Sequence, residues 1–170
     1  TVDQLIAFGS NGRVYSVPVA LLPGGRGDGQ PVTTLIELES GTQLLHYFAG
    51  PASAVLLLSN SGGYGFLASV ENLVSRQRGG KSFLTLGDGE TVCPPSHAAG
   101  STGGQPLPAA THVACASAGG RILTFEISEL KTMANGGRGL MLMSLEDKDV
   151  LIGAAAYTRS IRVQGTGRGG

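Results

Sequence analysis

The sequence predicts an all-β protein with about three repeats of ~50 residues, and three features indicate this fold. Glycine (28 residues) and proline (8) make up about a fifth of the 170 residues, while 41% of the chain is hydrophobic. The apolar runs are short and alternate with turn residues, which is typical of β-proteins. The turn glycines Gly12, Gly63 and Gly120 are 51 and 57 residues apart. A period near 50 residues with about four strands per unit indicates a propeller-like array.

The first repeat, residues 1–51, is predicted to begin with a β-hairpin. Leu5–Phe8 and Arg13–Val17 are its strands, and Asn11-Gly12 is the strongest two-residue hairpin signal. The predicted elements that follow are a helical turn (19–22), a glycine-rich loop (23–31) and a second hairpin (33–38 with 43–48).

The second and third repeats, residues 52–110 and 111–158, show the same order of elements. In the second repeat these are two strands (54–58, 64–70), a helical turn (71–74), a loop (76–82) and a hairpin (83–86 with 91–94). In the third they are two strands (112–116, 121–127), a helical turn (128–131), a loop (134–139) and a hairpin (140–145 with 150–157). Residues 95–110 are rich in Gly, Ser and Pro, which predicts a flexible insertion that lengthens the second repeat.

Residues 159–170 are interpreted as the start of a further repeat, because Gly167-Arg168 matches Gly12-Arg13. Each repeat has an apolar face that it cannot bury alone, so stacking of neighbours is expected to supply the core. Closed rings contain about four to eight blades. An open arc or a fragment of a ring is therefore expected.

The loop Arg76-Gln77-Arg78-Gly79-Gly80-Lys81-Ser82 is the main functional signal in the sequence. Three cations attract phosphate oxygens, and glycine lets a partner approach the backbone closely. Arg26 and Arg138 lie in the matching loops of the other repeats. The formal net charge is zero, from 12 basic and 12 acidic residues. Binding to nucleic acid would therefore require cations on the rim loops and acidic residues elsewhere.

Several motifs together resemble the C-terminal DNA-binding domain of the A chain of bacterial DNA topoisomerase IV, in the gyrase A C-terminal-domain family. They are Gly63-Tyr64-Gly65-Phe66, residues 72–81, Leu84-Thr85-Leu86, residues 24–31 and residues 118–123. The resemblance extends along nearly the whole chain, and residues 95–110 are its least familiar part.

The resemblance implies a β-pinwheel, a propeller-like fold in which blades exchange hairpins. It implies that the domain binds and bends DNA without sequence specificity and helps position the transported duplex for decatenation and supercoil relaxation. The domain itself is expected to be non-catalytic and to need no cofactor, metal or small-molecule substrate. The implied partners are double-stranded DNA, the N-terminal cleavage domain and the ATPase subunit of an ATP-dependent type II topoisomerase. The implied location is the bacterial cytoplasm, at the nucleoid.

The residues expected to contact DNA phosphates are cations of the loops and strand ends. They are Arg76, Arg78, Lys81, Arg138, Lys131 and Arg121, followed by Arg13 and Arg26. The related gyrase A protein carries a Gln-Arg-Arg-Gly-Gly-Arg-Gly box that is needed for wrapping. Residues 77–81 resemble a degenerate form without the second Arg, so tight wrapping is not expected.

Other functions are weaker alternatives. A propeller-like protein-interaction module without direct DNA contact remains open, whereas an independent enzyme lacks a catalytic constellation. Gly79–Ser82 matches only the end of a nucleotide-binding P-loop, and a strand rather than a helix is predicted to follow. Cys93, His97, His112 and Cys115 have ligand types that suit zinc, but their spacing is irregular. Two cysteines make no disulfide framework, and a cytosolic domain is the default expectation.

Overall fold

The computed structural model describes residues 3–102 and 105–166, and strands dominate this part of the chain. The strands are β1 (Gln4–Gly9), β2 (Arg13–Pro18), β3 (Leu44–Gly50), β4 (Val55–Ser59), β5 (Tyr64–Ser69), β6 (Lys81–Ser82), β7 (Ser96–Thr102), β8 (Gln105–Leu107), β9 (His112–Ser117), β10 (Ile122–Glu126), β11 (Leu140–Met141) and β12 (Leu151–Tyr157). A short helix, α1 (Val70–Leu73), and 3-10 turns at Val19–Leu21, Val32–Thr34 and Ile127–Glu129 join them. The predicted all-β class is confirmed. Within the described residues, no helix has the length and apolar character needed to cross a membrane.

These strands form three antiparallel sheets, which are the blades of the described part of the fold. Their strand orders are β3-β1-β2-β6, β11-β5-β4-β7-β8 and β10-β9-β12. At the centre of each blade lies a hairpin, β1–β2, β4–β5 or β9–β10, as the turn signals predicted. The turn glycines Gly12, Gly63 and Gly120 have φ values of +80°, +89° and +83°, a region that glycine enters at no steric cost.

Successive blades are joined because each edge strand comes from the following repeat. β6 belongs to the second repeat but pairs with β2, with Ser82 opposite Arg13. β11 of the third repeat likewise pairs with β5, with Met141 opposite Tyr64. In both places the carbonyl of the turn glycine accepts two consecutive backbone N–H groups, from Phe83 and Leu84 or from Leu142 and Met143. This is the exchange between blades that the resemblance implied.

The predicted second hairpin of each repeat is wrong in its pairing. In the second repeat, the strand that joins the first blade is β6, which lies in the predicted loop 76–82 and not in the predicted arm 83–86, while β7 pairs with β4 in the second blade. In the third repeat, β11 joins the second blade and β12 pairs with β9. The turn signals between the arms are local and do not specify which sheet receives each arm.

The first repeat departs furthest from the prediction, because residues 33–38 form no strand. None of the three sheets in the described residues includes this segment. It forms the 3-10 turn at Val32–Thr34 instead. Ile36 then packs with Ala7, Tyr15 and Val17 on the outer face of the first blade.

The closing strand of the second repeat lies later than predicted. Residues 91–94 make only one bridge, Asn60 with Val92. The strand that pairs with β4 is β7, which lies inside the predicted insertion and continues as a hairpin with β8. The flexibility of this segment stays a prediction. So does a further repeat at the end of the chain: residues 160–166 contain no strand, and Gly167-Arg168 lie outside the described residues.

The core lies between the blades rather than within one sheet. Successive side chains of a strand point to opposite faces. Leu56 and Leu58 of β4 pack with Ile6 and Phe8 of the first blade. The residue between them, Leu57, packs in the second cluster with Val113 and Cys115 of the third blade, together with Leu142 and Leu151. The middle blade is thus buried on both faces, which explains its continuous apolar run.

Candidate nucleic-acid interface

Two segments carry most of the predicted DNA-binding cations, and each crosses from one blade to the edge of the blade before it. We call residues 74–82 and residues 131–141 the first and second crossing segments. The first is held near its start by Ser75, whose N–H donates to Ser16 Oγ at 2.8 Å. The second is held by Leu67, which donates its N–H to the Lys131 carbonyl at 2.9 Å. Because both segments end as edge strands, they follow the same edge of successive blades.

The first crossing segment presents two arginines to solvent. Arg76 is exposed, and together with Arg78 it lines a cavity of about 390 Å³ whose other lining residues include Val17 and Val74. The side chain of Arg78 is 58% exposed. Its Nη2 donates to the Thr34 carbonyl at 2.9 Å, and its Nε lies 3.9 Å from Glu37 Oε1.

Lys81 has a different environment because it lies in β6. Its side chain is half-buried, and its ammonium lies 5.6 Å from the centroid of the Phe83 ring. Removal from water disfavours the charged form. Burial therefore lowers the pKa of the Lys81 ammonium from its ordinary value.

Arg13 lies beneath the first crossing segment and binds its backbone. Nε donates to the Gly79 carbonyl and Nη2 to the Gly80 carbonyl, both at 3.0 Å. Glu39 Oε1 lies 3.9 Å from the same guanidinium, whose side chain is 27% exposed. The carbonyls of the Gly-Gly pair are therefore bound by a side chain of the first blade. The sequence had suggested that a phosphate would approach these glycines closely.

Arg138 on the second crossing segment is also engaged within the protein. Its Nη2 donates to Glu90 Oε1 at 2.5 Å, and its guanidinium lies 4.3 Å from the centroid of the Tyr64 ring. The Glu90 side chain is only 14% exposed, and its other oxygen accepts the Gly87 N–H at 2.7 Å. No signal in the sequence indicates Tyr64 or Glu90, because their link to Arg138 exists only after the blades assemble.

The remaining predicted cations differ in their surroundings. Arg121 Nη1 lies 3.2 Å from Glu146 Oε1. Arg26 and Lys131 are exposed, and like Arg76 they form no ion pair within the described part of the chain. The expected separation of charges is only partial, because four glutamates lie beside four of the predicted arginines. These pairs are Arg13–Glu39, Arg78–Glu37, Arg121–Glu146 and Arg138–Glu90.

The residues of the zinc alternative have other roles in the structure. In residues 3–102 and 105–166, no three His, Cys, Asp or Glu side chains are grouped so that they would hold a metal ion. His97 stacks on Phe48 and His112 packs on Tyr157. Cys93 and Cys115 are buried between the second and third blades. Burial and the neighbouring Cys93 raise the pKa of the Cys115 thiol to about 11.

The nucleotide-binding alternative also lacks its structural context. A P-loop continues into a helix that receives the phosphates. Here Lys81 and Ser82 form β6 on the edge of the first blade. The next two residues, Phe83 and Leu84, donate their backbone N–H groups to the Gly12 carbonyl. The Lys81–Ser82 pair therefore belongs to the exchange between blades.

The chain is similar to a known family along most of its length. The family model of the DNA gyrase C-terminal domain, beta-propeller, matches residues 3–35, 54–92 and 111–157. The A chain of DNA topoisomerase 4 from Neisseria gonorrhoeae is 39% identical over 160 residues, which are 94% of this chain and 20% of that protein. Its counterpart from Caulobacter vibrioides is 31% identical over 148 residues, which are 86% of this chain and 18% of that protein. The chain thus spans about a fifth of the length of these relatives.

Solved structures show the same architecture. The Escherichia coli ParC C-terminal domain superposes with a TM-score of 0.79 at 26% identity, over 92% of this chain and 62% of that one. A C-terminal domain of DNA topoisomerase IV has a TM-score of 0.73 at 18% identity, over 92% of this chain and 48% of that one. The family model covers more than half of the chain in three segments, one per repeat. The chain therefore belongs to the DNA gyrase C-terminal domain family, as the type found in the A chain of topoisomerase IV.

Proposed function

We propose that this domain binds and bends double-stranded DNA through its phosphates, as the accessory domain of a type II topoisomerase in the bacterial cytoplasm. The observation that supports this most directly is the placement of Arg76, Arg78 and Lys131, which are exposed on crossing segments of successive blades. Arg26, Lys81 and Arg121 are further candidates for phosphate contact in this proposal. Contacts to phosphates position DNA without reading its sequence. The domain would position the transported duplex, while the cleavage domain and the ATPase subunit carry out the reaction.

The guanidinium of Arg78 retains donors for a phosphate. Arginine has five N–H donors, and Arg78 gives one to the Thr34 carbonyl. Its pairing with Glu37 joins two exposed groups, and pairs of this kind contribute only about 0–1 kcal/mol. A phosphate can therefore displace Glu37 at small cost. DNA held by two successive crossing segments would follow the curvature of the blades, which is the proposed source of bending.

The proposal is tested by titrating a short random-sequence duplex at several salt concentrations with fluorescence anisotropy. If about four phosphates are neutralised, log K should fall with log salt at a slope near −3.6. The double substitution Arg76→Glu with Arg78→Glu should abolish most of this binding. Lys148→Glu with Arg159→Glu makes the same change in net charge at exposed sites outside the crossing segments, and should have a smaller effect.

The control pair separates a localised interface from general electrostatic attraction. Equal losses in both double variants would show that binding depends on net charge and not on the crossing segments. An absence of binding at low salt would favour the alternative of a protein-interaction module. The exposed Ile122 and Ile152 on the third blade would then be the first surface to test.

A further inference from the structure

The two junctions between blades are related by the repeat, and this identifies matching positions in them. Arg13 is opposite Ser82 in the first junction, and Tyr64 is opposite Met141 in the second. Arg13 therefore corresponds to Tyr64. Counting back three residues along each crossing segment, Gly79 corresponds to Arg138.

Both junctions contain one guanidinium, but it comes from opposite sides. In the first junction the arginine is on the blade hairpin, and the crossing segment supplies the Gly79 and Gly80 carbonyls. In the second junction the arginine is on the crossing segment, and the blade supplies the Tyr64 ring and the Glu90 carboxylate. A guanidinium thus joins the blade to the crossing segment in both junctions, but the blade supplies it in the first and the crossing segment supplies it in the second.

The geometry of each contact requires the planar group of arginine rather than its charge alone. Two donors of one guanidinium reach two consecutive carbonyls in the first junction, at 3.0 Å each. In the second, the guanidinium stacks on an aromatic ring while it binds a carboxylate. A lysine ammonium is a point charge with a different hydration and cannot reproduce either arrangement.

We propose that Arg13 and Arg138 are positioning residues that fix the two crossing segments, and that they influence DNA binding through Arg76, Arg78 and Lys131 rather than by contacting phosphates themselves. The part that concerns DNA rests on the function proposed above. The part that concerns the junctions does not, because it predicts a property of the protein without DNA. Two of the eight cations indicated by the sequence would thus be assigned to the joints between blades.

The junctions are tested by amide hydrogen exchange on the full chain without DNA. The reporters are the N–H groups of Phe83 and Leu84, which bind the Gly12 carbonyl, and those of Leu142 and Met143, which bind the Gly63 carbonyl. Arg13→Lys and Arg13→Met should both accelerate exchange at the first pair by about tenfold or more, since a hydrogen bond to a charged group is lost. Exchange at the second pair should stay unchanged. Arg138→Lys and Arg138→Met should give the opposite pattern.

The DNA part is tested with the same variants in the anisotropy assay, with Arg76→Lys and Arg76→Met as matched controls. At Arg76, lysine should retain most of the affinity, because charge is sufficient there. At Arg13, lysine should be as damaging as methionine. In a background of Arg76→Met with Arg78→Met, Arg13→Met should cause no further loss, whereas a direct phosphate contact would add its own loss.

The outcomes decide the two parts separately. Wild-type exchange in Arg13→Lys and Arg138→Lys would overturn the positioning role, whatever happens with DNA. Altered exchange with a wild-type DNA affinity would overturn the link to the interface. If the methionine variants do not fold, the lysine variants alone give the answer, because they keep the positive charge and a long aliphatic side chain.

Discussion

A β-carbon on Gly80 would lie 2.3 Å from the carbonyl oxygen of Val14, so the first crossing segment touches β2 where only glycine fits. Gly80 also has a φ of +63°, which L-residues with a side chain rarely adopt. A β-carbon built on the preceding Gly79, in contrast, would have no neighbouring atom within 4 Å. The two glycines of the basic loop therefore have different roles: one is required by contact, and the other is not.

The first prediction uses this difference. Gly80→Ala should destabilise the domain by about 2 kcal/mol or more, because it combines backbone strain with a clash against a strand. Gly79→Ala is the matched control, and we expect a change within about 0.5 kcal/mol. Urea unfolding followed by circular dichroism measures both. Equal stabilities of the two variants would contradict the close packing of the loop on β2.

The second prediction concerns the core between the second and third blades. Leu57 is fully buried there, so Leu57→Ala should cost about 2–5 kcal/mol, from lost burial and the cavity left behind. Leu21→Ala is the control, since Leu21 is 61% exposed, and should cost little. A small loss at Leu57 in the same urea experiment would mean that the third blade does not depend on the second for its core.

These contacts show how far the sequence could predict the fold. Hairpins such as Leu5–Val17 were predictable, because Asn-Gly turns and alternating apolar residues are local signals. The pairing of β6 with β2 was not, because Lys81 and Ser82 have the composition of the basic loop, and the apolar residues 83–86 look suited to a strand within their own repeat. The strand β7 was also missed, since a run of Ser, His, Ala and Gly has the composition of a loop. Sheet partners supply its hydrogen bonds and override that composition.

For the candidate site, the sequence indicates a region but not the surroundings of each cation. The loop around Arg78 stands out because clustered cations and glycines are visible in the sequence alone. In the sequence, however, Arg13 and Arg138 cannot be distinguished from Arg76. Only the assembled blades bring Gly79, Gly80, Tyr64 and Glu90 to those two guanidinium groups. A cation count therefore overestimates the number of side chains that are free for a phosphate.

The third prediction is a dependence of stability on alkaline pH. The pKa of the Cys115 thiol rises from 9.0 to about 11 on folding, because burial disfavours the thiolate and Cys93 adds to the effect. Between these two values the unfolded chain loses this proton and the native chain keeps it. Stability should therefore fall as pH rises from about 9 to about 11, and level off above that range for this group.

The control for this effect is Cys115→Ala, which removes the titrating group. The variant should be less stable at neutral pH because of the cavity, but its unfolding midpoint should fall less steeply across the alkaline range. Urea midpoints at half-unit pH steps would show the difference in slope. Parallel curves for the two proteins would contradict a buried neutral thiol at this position.

The last prediction compares two exposed cations of the proposed interface. Lys131 lies on the second crossing segment and has no acidic partner within the described residues, so Lys131→Gln should reduce the magnitude of the salt slope by about one. Arg26 is followed two residues later by Asp28 in an exposed loop that is not part of either crossing segment. A neighbouring carboxylate repels the same phosphate that the arginine attracts, so Arg26→Gln should change the slope by less. Both variants are measured with the same duplex. A larger effect at Arg26 would move the proposed DNA path away from the crossing segments and toward the outer loop of the first repeat.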